Sequence, residues 1–322
     1  MIRTRKSGDK VKLTMLQDDG KTIDRSITLS ERPRDPGDQT YEVIYDQVVS
    51  NGIRHRMIVT KPKREGKHPV FFWIQGIGLG TVDFPLTANN GTAKILKSFS
   101  DDGFVTVRVE KTGLGDSEGG PADKVSYDAE TDIFRQGVRA MDRYSFADRS
   151  QVYVFGHSMG GCHAPIIAAD TPIKGIMSYG TVSDSWLEWQ IKADRWQAIL
   201  GGADPKQVDQ DVRKTVTFYG ELYNERKSVD QIVKDHPDLA EFARQQSPDG
   251  VNMSARSIDY MRGVNDKNFS DFWSRLGDCR VLALFGENDF VALESCQTQI
   301  PVIVNRLKPG HATFQKVKES DH

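Results

Sequence analysis

The 322-residue chain has only three cysteines, Cys162, Cys279 and Cys296, too few and too scattered for a disulfide framework. None stands in the C-x-x-C spacing that grips zinc, so all three are expected as reduced, apolar-like thiols. No run approaches the 18 or more uninterrupted apolar residues of a membrane span; the longest, such as Val70-Phe71-Phe72-Trp73-Ile74, are strand-sized. There is no excess of either charge: 43 Lys and Arg stand against 45 Asp and Glu, a formal net charge of -2. That balance argues against a binder of nucleic acid or of an anionic membrane, whose affinity comes from concentrated Lys and Arg. The basic start, Met1-Ile2-Arg3-Thr4-Arg5-Lys6, has no apolar region behind it, so no signal peptide is visible. The default expectation is a cytoplasmic protein, or an extracytoplasmic one if the natural chain begins further upstream. Oligomeric state is not readable from the sequence. The glycine clusters Gly76-Ile77-Gly78-Leu79-Gly80 and Gly113-Leu114-Gly115 lack the third residue of G-x-G-x-x-G, which argues against a dinucleotide site.

What is present is an alternation of strand-like and helix-like segments. Residues 11–16 and 23–29 alternate apolar and polar side chains about Asp18-Asp19-Gly20-Lys21, the pattern of a β-hairpin, and the polar stretch from Glu31 to Asp38 marks a boundary. From Tyr41 onward strands are expected near 41–49, 53–60, 69–74, 104–109, 151–155, 174–179, 280–285 and 313–317. The short continuous apolar ones read as buried strands of a mostly parallel sheet. Helical stretches between them imply a doubly wound α/β architecture with function at the C-terminal ends of the strands. Between about 183 and 264 the strand signal vanishes, and a charged helical stretch holding Trp186, Trp189, Trp196, Tyr219 and Tyr223 reads as a helical cap inserted over that edge.

Two segments match G-x-S-x-G: Gly115-Asp116-Ser117-Glu118-Gly119 and Gly156-His157-Ser158-Met159-Gly160. The pattern alone is weak, and what decides is a strand before it and a helix after it. Ser158 has both, in Val152–Phe155 and Gly161–Ala169, whereas Gly119-Gly120-Pro121 breaks any helix after Ser117. Ser158 is therefore the candidate nucleophile and Ser117 a residue of a polar loop.

The chain resembles the α/β-hydrolases, nearest to the prolyl-oligopeptidase-like and dienelactone-hydrolase-like branch. The motifs that carry the resemblance span about residues 40–322. They are Gln75-Gly76-Ile77-Gly78, Glu110 to Gly119, the Ser158 elbow, Leu284 to Asp289 and Glu319-Ser320-Asp321-His322. The N-terminal hairpin is similar to the last two strands of a bacterial PDZ domain without its peptide-binding loop. The resulting division is 1–35 as a partial PDZ-like segment, 40–182 with 265–322 as an eight-stranded hydrolase core, and 183–264 as the cap.

The resemblance implies a serine hydrolase needing no metal or organic cofactor. In the fold's order of Ser, acid, His, the acid is expected at Asp289, with Glu287 and Asp184 as alternatives, and the base at His322, with His311 as the alternative. Because His322 ends the chain where relatives continue into a C-terminal helix, the natural protein is expected to extend further. The Met159 and Ile77 amides are the expected oxyanion donors, with Gln75, in place of the His common in relatives, orienting the loop. Gln75, Trp186 and Trp189 are candidate substrate-binding residues, although large aromatics more often fill cores. The expected activity is hydrolysis of small carboxylic esters through an acyl-enzyme. A small-peptide or acyl-aminoacyl hydrolase and an inert hydrolase-fold scaffold are the other readings.

Overall fold

The computed structural model describes residues 7–31 and 34–322; the basic start of the chain and Arg32-Pro33 of the expected linker lie outside the described residues. The chain divides into two compact units, residues 1–35 and 36–322. In the first, β1 (Lys10–Leu16) and β2 (Thr22–Thr28) pair antiparallel, with Lys10 opposite Thr28 and Leu16 opposite Thr22.

The second unit is built on one eight-stranded sheet. Its edge is a hairpin of β3 (Tyr41–Ser50) and β4 (Ile53–Pro62), joined by Asn51-Gly52, both at positive φ (49° and 77°), as a two-residue hairpin turn requires. Then follow β5 (His68–Ile74), α1 (Gly91–Asp101), β6 (Val105–Val109), α2 (Tyr127–Arg139), β7 (Ala147–His157), α3 (Met159–Ala168) and β8 (Gly175–Tyr179). A long insertion holds α4 (Trp186–Leu200), α5 (Pro205–Tyr219), α6 (Val229–Asp235), α7 (Ala240–Gln246), the two-residue strands β9 (Asn252–Met253) and β10 (Arg256–Ser257), α8 (Ile258–Asn265) and α9 (Phe269–Ser274). The chain returns to the sheet with β11 (Arg280–Gly286), α10 (Glu294–Leu307) and β12 (Ala312–Val317).

The strand order is β12-β11-β8-β7-β5-β6-β4-β3, parallel throughout except for β4, which runs antiparallel to both its neighbours. All eight expected strands are present in this mostly parallel sheet. The largest difference is β7, which begins at Ala147 rather than 151, because Ala147 pairs with His68 across a register shift that the polar stretch Asp148 to Gln151 conceals in the sequence.

Alternation along the buried strands sends side chains to opposite faces. Val70, Phe72 and Ile74 of β5 join the larger core with Ile133, Phe134 and Val138 of α2 and Cys162 and Ile167 of α3. Phe71 and Trp73 of the same strand point the other way, into a second cluster with Leu96 of α1 and Phe155. Each such side chain, fully buried, contributes about 1.5–3 kcal/mol. The insertion is part of the larger core, through Phe218, Tyr219, Leu222, Tyr223 and Trp273. Its helix starts are set locally by polar caps: Ser185 for α4, Asp204 with Pro205 for α5, Ser228 for α6 and Ser257 for α8 each accept a hydrogen bond from the first turn. No helix among the described residues is long and apolar enough to cross a membrane. The three cysteines are free and buried, and burial pushes Cys162 and Cys296 up to about 11 and Cys279 to about 12.

Candidate active site

Ser158 stands between the end of β7 and the start of α3, at φ 53° and ψ -122°, outside the ordinary regions for an L residue. Holding it there costs on the order of 1–3 kcal/mol, which the packed strand and helix on either side supply. Serine at such a position normally caps the helix, but Ser158 makes no side-chain capping bond, so its Oγ is not spent on α3. The turn closes only because its residues are small: a Cβ on Gly160 would lie 2.2 Å from the Ile74 carbonyl oxygen. Ser117 sits instead in the loop after β6, where its Oγ accepts the Arg56 N–H at 2.9 Å.

Asp289 lies in the turn after β11. Its Oδ1 accepts the Val291 and Ala292 amides at 2.9 and 2.8 Å, and its Oδ2 lies 2.9 Å from His322 Nδ1. Burial alone would raise this carboxyl, but the imidazole and the two amides outweigh it and hold it below the ordinary aspartate value. An ionised carboxylate can only accept, so His322 Nδ1 is the protonated nitrogen and Nε2 is left free to take a proton.

His322 is held firmly for a residue beyond the last strand. The tail from Lys318 is tied to the turn after β11: Glu287 N–H donates to Val317 O at 2.9 Å, Asn288 N–H to Ser320 O at 2.8 Å, and Glu319 N–H to Glu287 Oε2 at 3.0 Å. The Tyr179 hydroxyl donates to the Asp321 carbonyl. The crossing needs a glycine at 286, where a Cβ would lie 2.6 Å from both the Ser320 and Asp321 carbonyl oxygens. Tyr179 carried no signal in the sequence, since its partner is 142 residues away. The alternatives are committed elsewhere: Glu287 to Glu319, buried Asp184 to Lys192 at 2.9 Å, and His311 to the start of β12, at the opposite end of the sheet from Ser158. His157 lies beside His322, with ring centroids 4.9 Å apart. Burial, reinforced by His322, lowers its pKa to about 4, so it is uncharged at neutral pH and does not oppose a proton on its neighbour.

The loop Gln75–Gly78 is braced by buried cations. Lys111 Nζ donates to the Gly76 and Gly78 carbonyls at 2.5 and 3.2 Å, and Arg256 Nε, from the insertion, to the Ile77 carbonyl at 3.0 Å. Both converge on Glu130 of α2. Lys111 Nζ is 3.1 Å from Oε1, and Arg256 Nη2 is 3.1 Å from Oε1 and 2.7 Å from Oε2. The Tyr260 hydroxyl donates to the same Oε1 at 3.1 Å, and His163 Nε2 is 3.5 Å away. All five of these side chains are fully buried. Burial alone would raise Glu130, but Lys111, His163 and Arg256 hold it far below the ordinary value; burial lowers Lys111 to about 8 against the pull of Glu130. In sequence each member looks like one more surface charge.

Ser158, Met159 and Ile77 line one cavity of about 210 Å³ with Gly180, Val182, Val291 and residues of α4. Met159 opens α3, so its N–H belongs to the first four helix amides that have no intrahelical acceptor. Trp186, Trp189, Gln190, Ala193, Asp194 and Gln197 face the cavity from α4 at the three- and four-residue spacing of one helix face. Trp186 also packs in the core, so it serves both expectations at once. Gln75 does not line the cavity; its Nε2 is buried without a hydrogen-bond partner. Among the described residues there is no group of three or more His, Cys, Asp and Glu placed to hold a metal ion.

Asp194 was not singled out by sequence, yet it is the acid inside the cavity. Burial raises its pKa from 3.8 to about 6, with Gln190 and Tyr219 pulling the other way. The unfolded chain thus loses this proton near pH 4 and the folded chain near pH 6, so stability falls as pH rises through that window. The penalty at neutral pH is about 3 kcal/mol, at 1.36 kcal/mol per pH unit. Asp194→Asn, which cannot ionise, is expected to melt several degrees above the wild type at pH 8 and no higher at pH 4. A difference in Tm independent of pH would contradict this assignment.

No family model matches the chain. It is similar to the uncharacterized peptidase YtmA of Bacillus subtilis (strain 168), 24% identical over 183 residues, 55% of this chain and 66%, just under two thirds, of that protein. Among solved structures, the α/β hydrolase GrgF from Penicillium sp. sh18 superposes with a TM-score of 0.54 at 14% identity, covering 88% of this chain and 91% of that one. Est1E from Butyrivibrio proteoclasticus does so with a TM-score of 0.54 at 15% identity, covering 86% and 90%. With its sheet order, its single antiparallel strand and these neighbours, the chain has the α/β-hydrolase fold.

Proposed function

We propose that this protein is a serine hydrolase that cleaves small carboxylic esters through an acyl-enzyme. The observation that carries the reading is the His322–Asp289 pair at 2.9 Å, on the same sheet edge as a serine held in a strained turn. In the proposed sequence Ser158 Oγ attacks the carbonyl carbon as its proton passes to His322 Nε2, while Asp289 steadies the imidazolium that forms. The tetrahedral oxyanion is met by the Met159 and Ile77 amides. His322 returns the proton to the leaving oxygen, the acyl-enzyme remains, and water, activated by the same imidazole, releases the acid. The cavity, smaller than the roughly 300–1,000 Å³ of sites for drug-sized ligands, suits a short acyl group.

Similarity to a peptidase favours a second reading, in which the bond cleaved is the amide of a short peptide or acylated amino acid. The first experiment is labelling with a fluorophosphonate, wild type against Ser158→Ala, followed by p-nitrophenyl esters beside aminoacyl p-nitroanilides. Labelling that requires Ser158 and preferential ester turnover are expected. Absence of Ser158-dependent labelling would refute the hydrolase reading, and faster anilide turnover would replace esterase by peptidase.

A further inference from the structure

A carboxylate with one buried oxygen left unmet is costly, and Asp194 stands in the wall of the cavity that holds Ser158. Gln190 Nε2 donates to Asp194 Oδ1 at 2.7 Å, but Asp194 Oδ2 is buried and has no hydrogen-bond partner. The Tyr219 hydroxyl is also within reach of Asp194, but its one proton is donated to Gln246 Oε1 at 2.9 Å. Among the described residues no cation pairs with Asp194: on the same helix Lys192 is engaged by Asp184 and Glu188, and Arg195 by Asp209. An unmatched acceptor of this kind calls for a donor that arrives with the ligand.

The remaining chemistry of the wall narrows that donor. Trp186 and Trp189, ring centroids 4.5 Å apart, line the same cavity, and indole is the aromatic ring that attracts cations most strongly. Val182, Ala193 and Val291 add apolar surface to a wall that also holds Gln197 and Ser254. Asp194 lies eight residues along α4 from Trp186, ~12 Å at 1.5 Å per residue, so it stands about two turns from that ring on the same wall.

We propose that the α4 end of the cavity is an ammonium site, in which Asp194 receives a protonated primary amine carried on the acyl group of the substrate beyond a short apolar spacer. This deepens the hydrolase reading and rests on it for the word substrate, whereas amine binding itself does not require catalysis. A primary ammonium fills the empty acceptor with an N–H bond and leaves its chain against the apolar wall. A neutral chain of the same length leaves Oδ2 unmet.

The test has two arms. Binding of n-hexylamine and of n-hexanol is followed at pH 8 by tryptophan fluorescence. Separately, kcat/KM is compared for methyl 6-aminohexanoate and methyl hexanoate. The amine is expected to bind at least about tenfold more tightly than the alcohol, the amino ester to be preferred by a similar factor, and both ratios to fall to about one in Asp194→Asn. Equal affinities, binding of neither probe, or ratios unchanged in the variant would overturn the ammonium site. Loss of Ser158-dependent turnover with the amine preference in binding intact would instead fault the hydrolase reading and leave the site standing, so the two failures are distinguishable.

Discussion

Asp289→Asn is expected to lower kcat by roughly 10³–10⁴-fold with KM changed only a few-fold. The size follows from which end of the new amide faces the histidine. Oδ1 of Asp289 accepts two backbone amides, from Val291 and Ala292, so an asparagine must place its oxygen there and turn its NH₂ toward His322. Nδ1 then becomes an acceptor, the proton moves to Nε2, and the nitrogen proposed to deprotonate Ser158 is already occupied. Asp289→Ala removes the orienting group without imposing the wrong tautomer and is expected to be no worse. Steady-state kinetics on a p-nitrophenyl ester measure both, and a loss under about tenfold for the asparagine variant would mean that Asp289 does not orient the base.

Arg256→Met should be the most damaging change outside the Ser158, Asp289 and His322 set, because it acts on stability and on the loop at once. It leaves Glu130 fully buried with one cation fewer, a loss of about 3–5 kcal/mol. It also frees the Ile77 carbonyl, so the loop whose amide would meet the oxyanion keeps only its Lys111 brace; full loss of one such donor costs on the order of 10² in kcat, and a fall of up to that size is expected. The two effects separate when kcat is measured well below the Tm of Arg256→Met, where the variant is folded. The loop still lacks the Arg256 bond there, and kcat should stay low. A kcat equal to that of the wild type at such a temperature would show that Arg256 acts through stability alone.

The fold was legible because its evidence is local. Val70–Ile74, Val152–Phe155 and Val281–Phe285 are apolar whichever face they present, as strands covered on both sides must be. The Ser158 turn announces itself by glycines that no side chain could replace. Asp289 and His322 had only their order in the chain to recommend them, and their 2.9 Å contact joins positions 33 residues apart across a helix and a strand. What sequence could not supply is everything made by convergence. Lys111, Glu130, His163 and Arg256 come from four segments, each reading as one more charge until the fold removes water from around all of them. Asp194 was hidden differently, in a helix whose charged residues mask the face turned inward. The insertion was hard to divide in sequence because its two long helices, α4 and α5, are followed by short helices and two-residue strands.

The same inward face gives α4 the character of a measuring rod. Trp186, Trp189 with Gln190, Ala193 with Asp194, and Gln197 follow one another at successive turns, each about 5.4 Å further along the helix. A change of side-chain volume at one turn shortens or lengthens the available reach by that increment, and a change of polarity moves the point where a charged group can rest. Selectivity can therefore drift through single replacements along one helix, while the strands that hold Ser158, Asp289 and His322 keep their geometry.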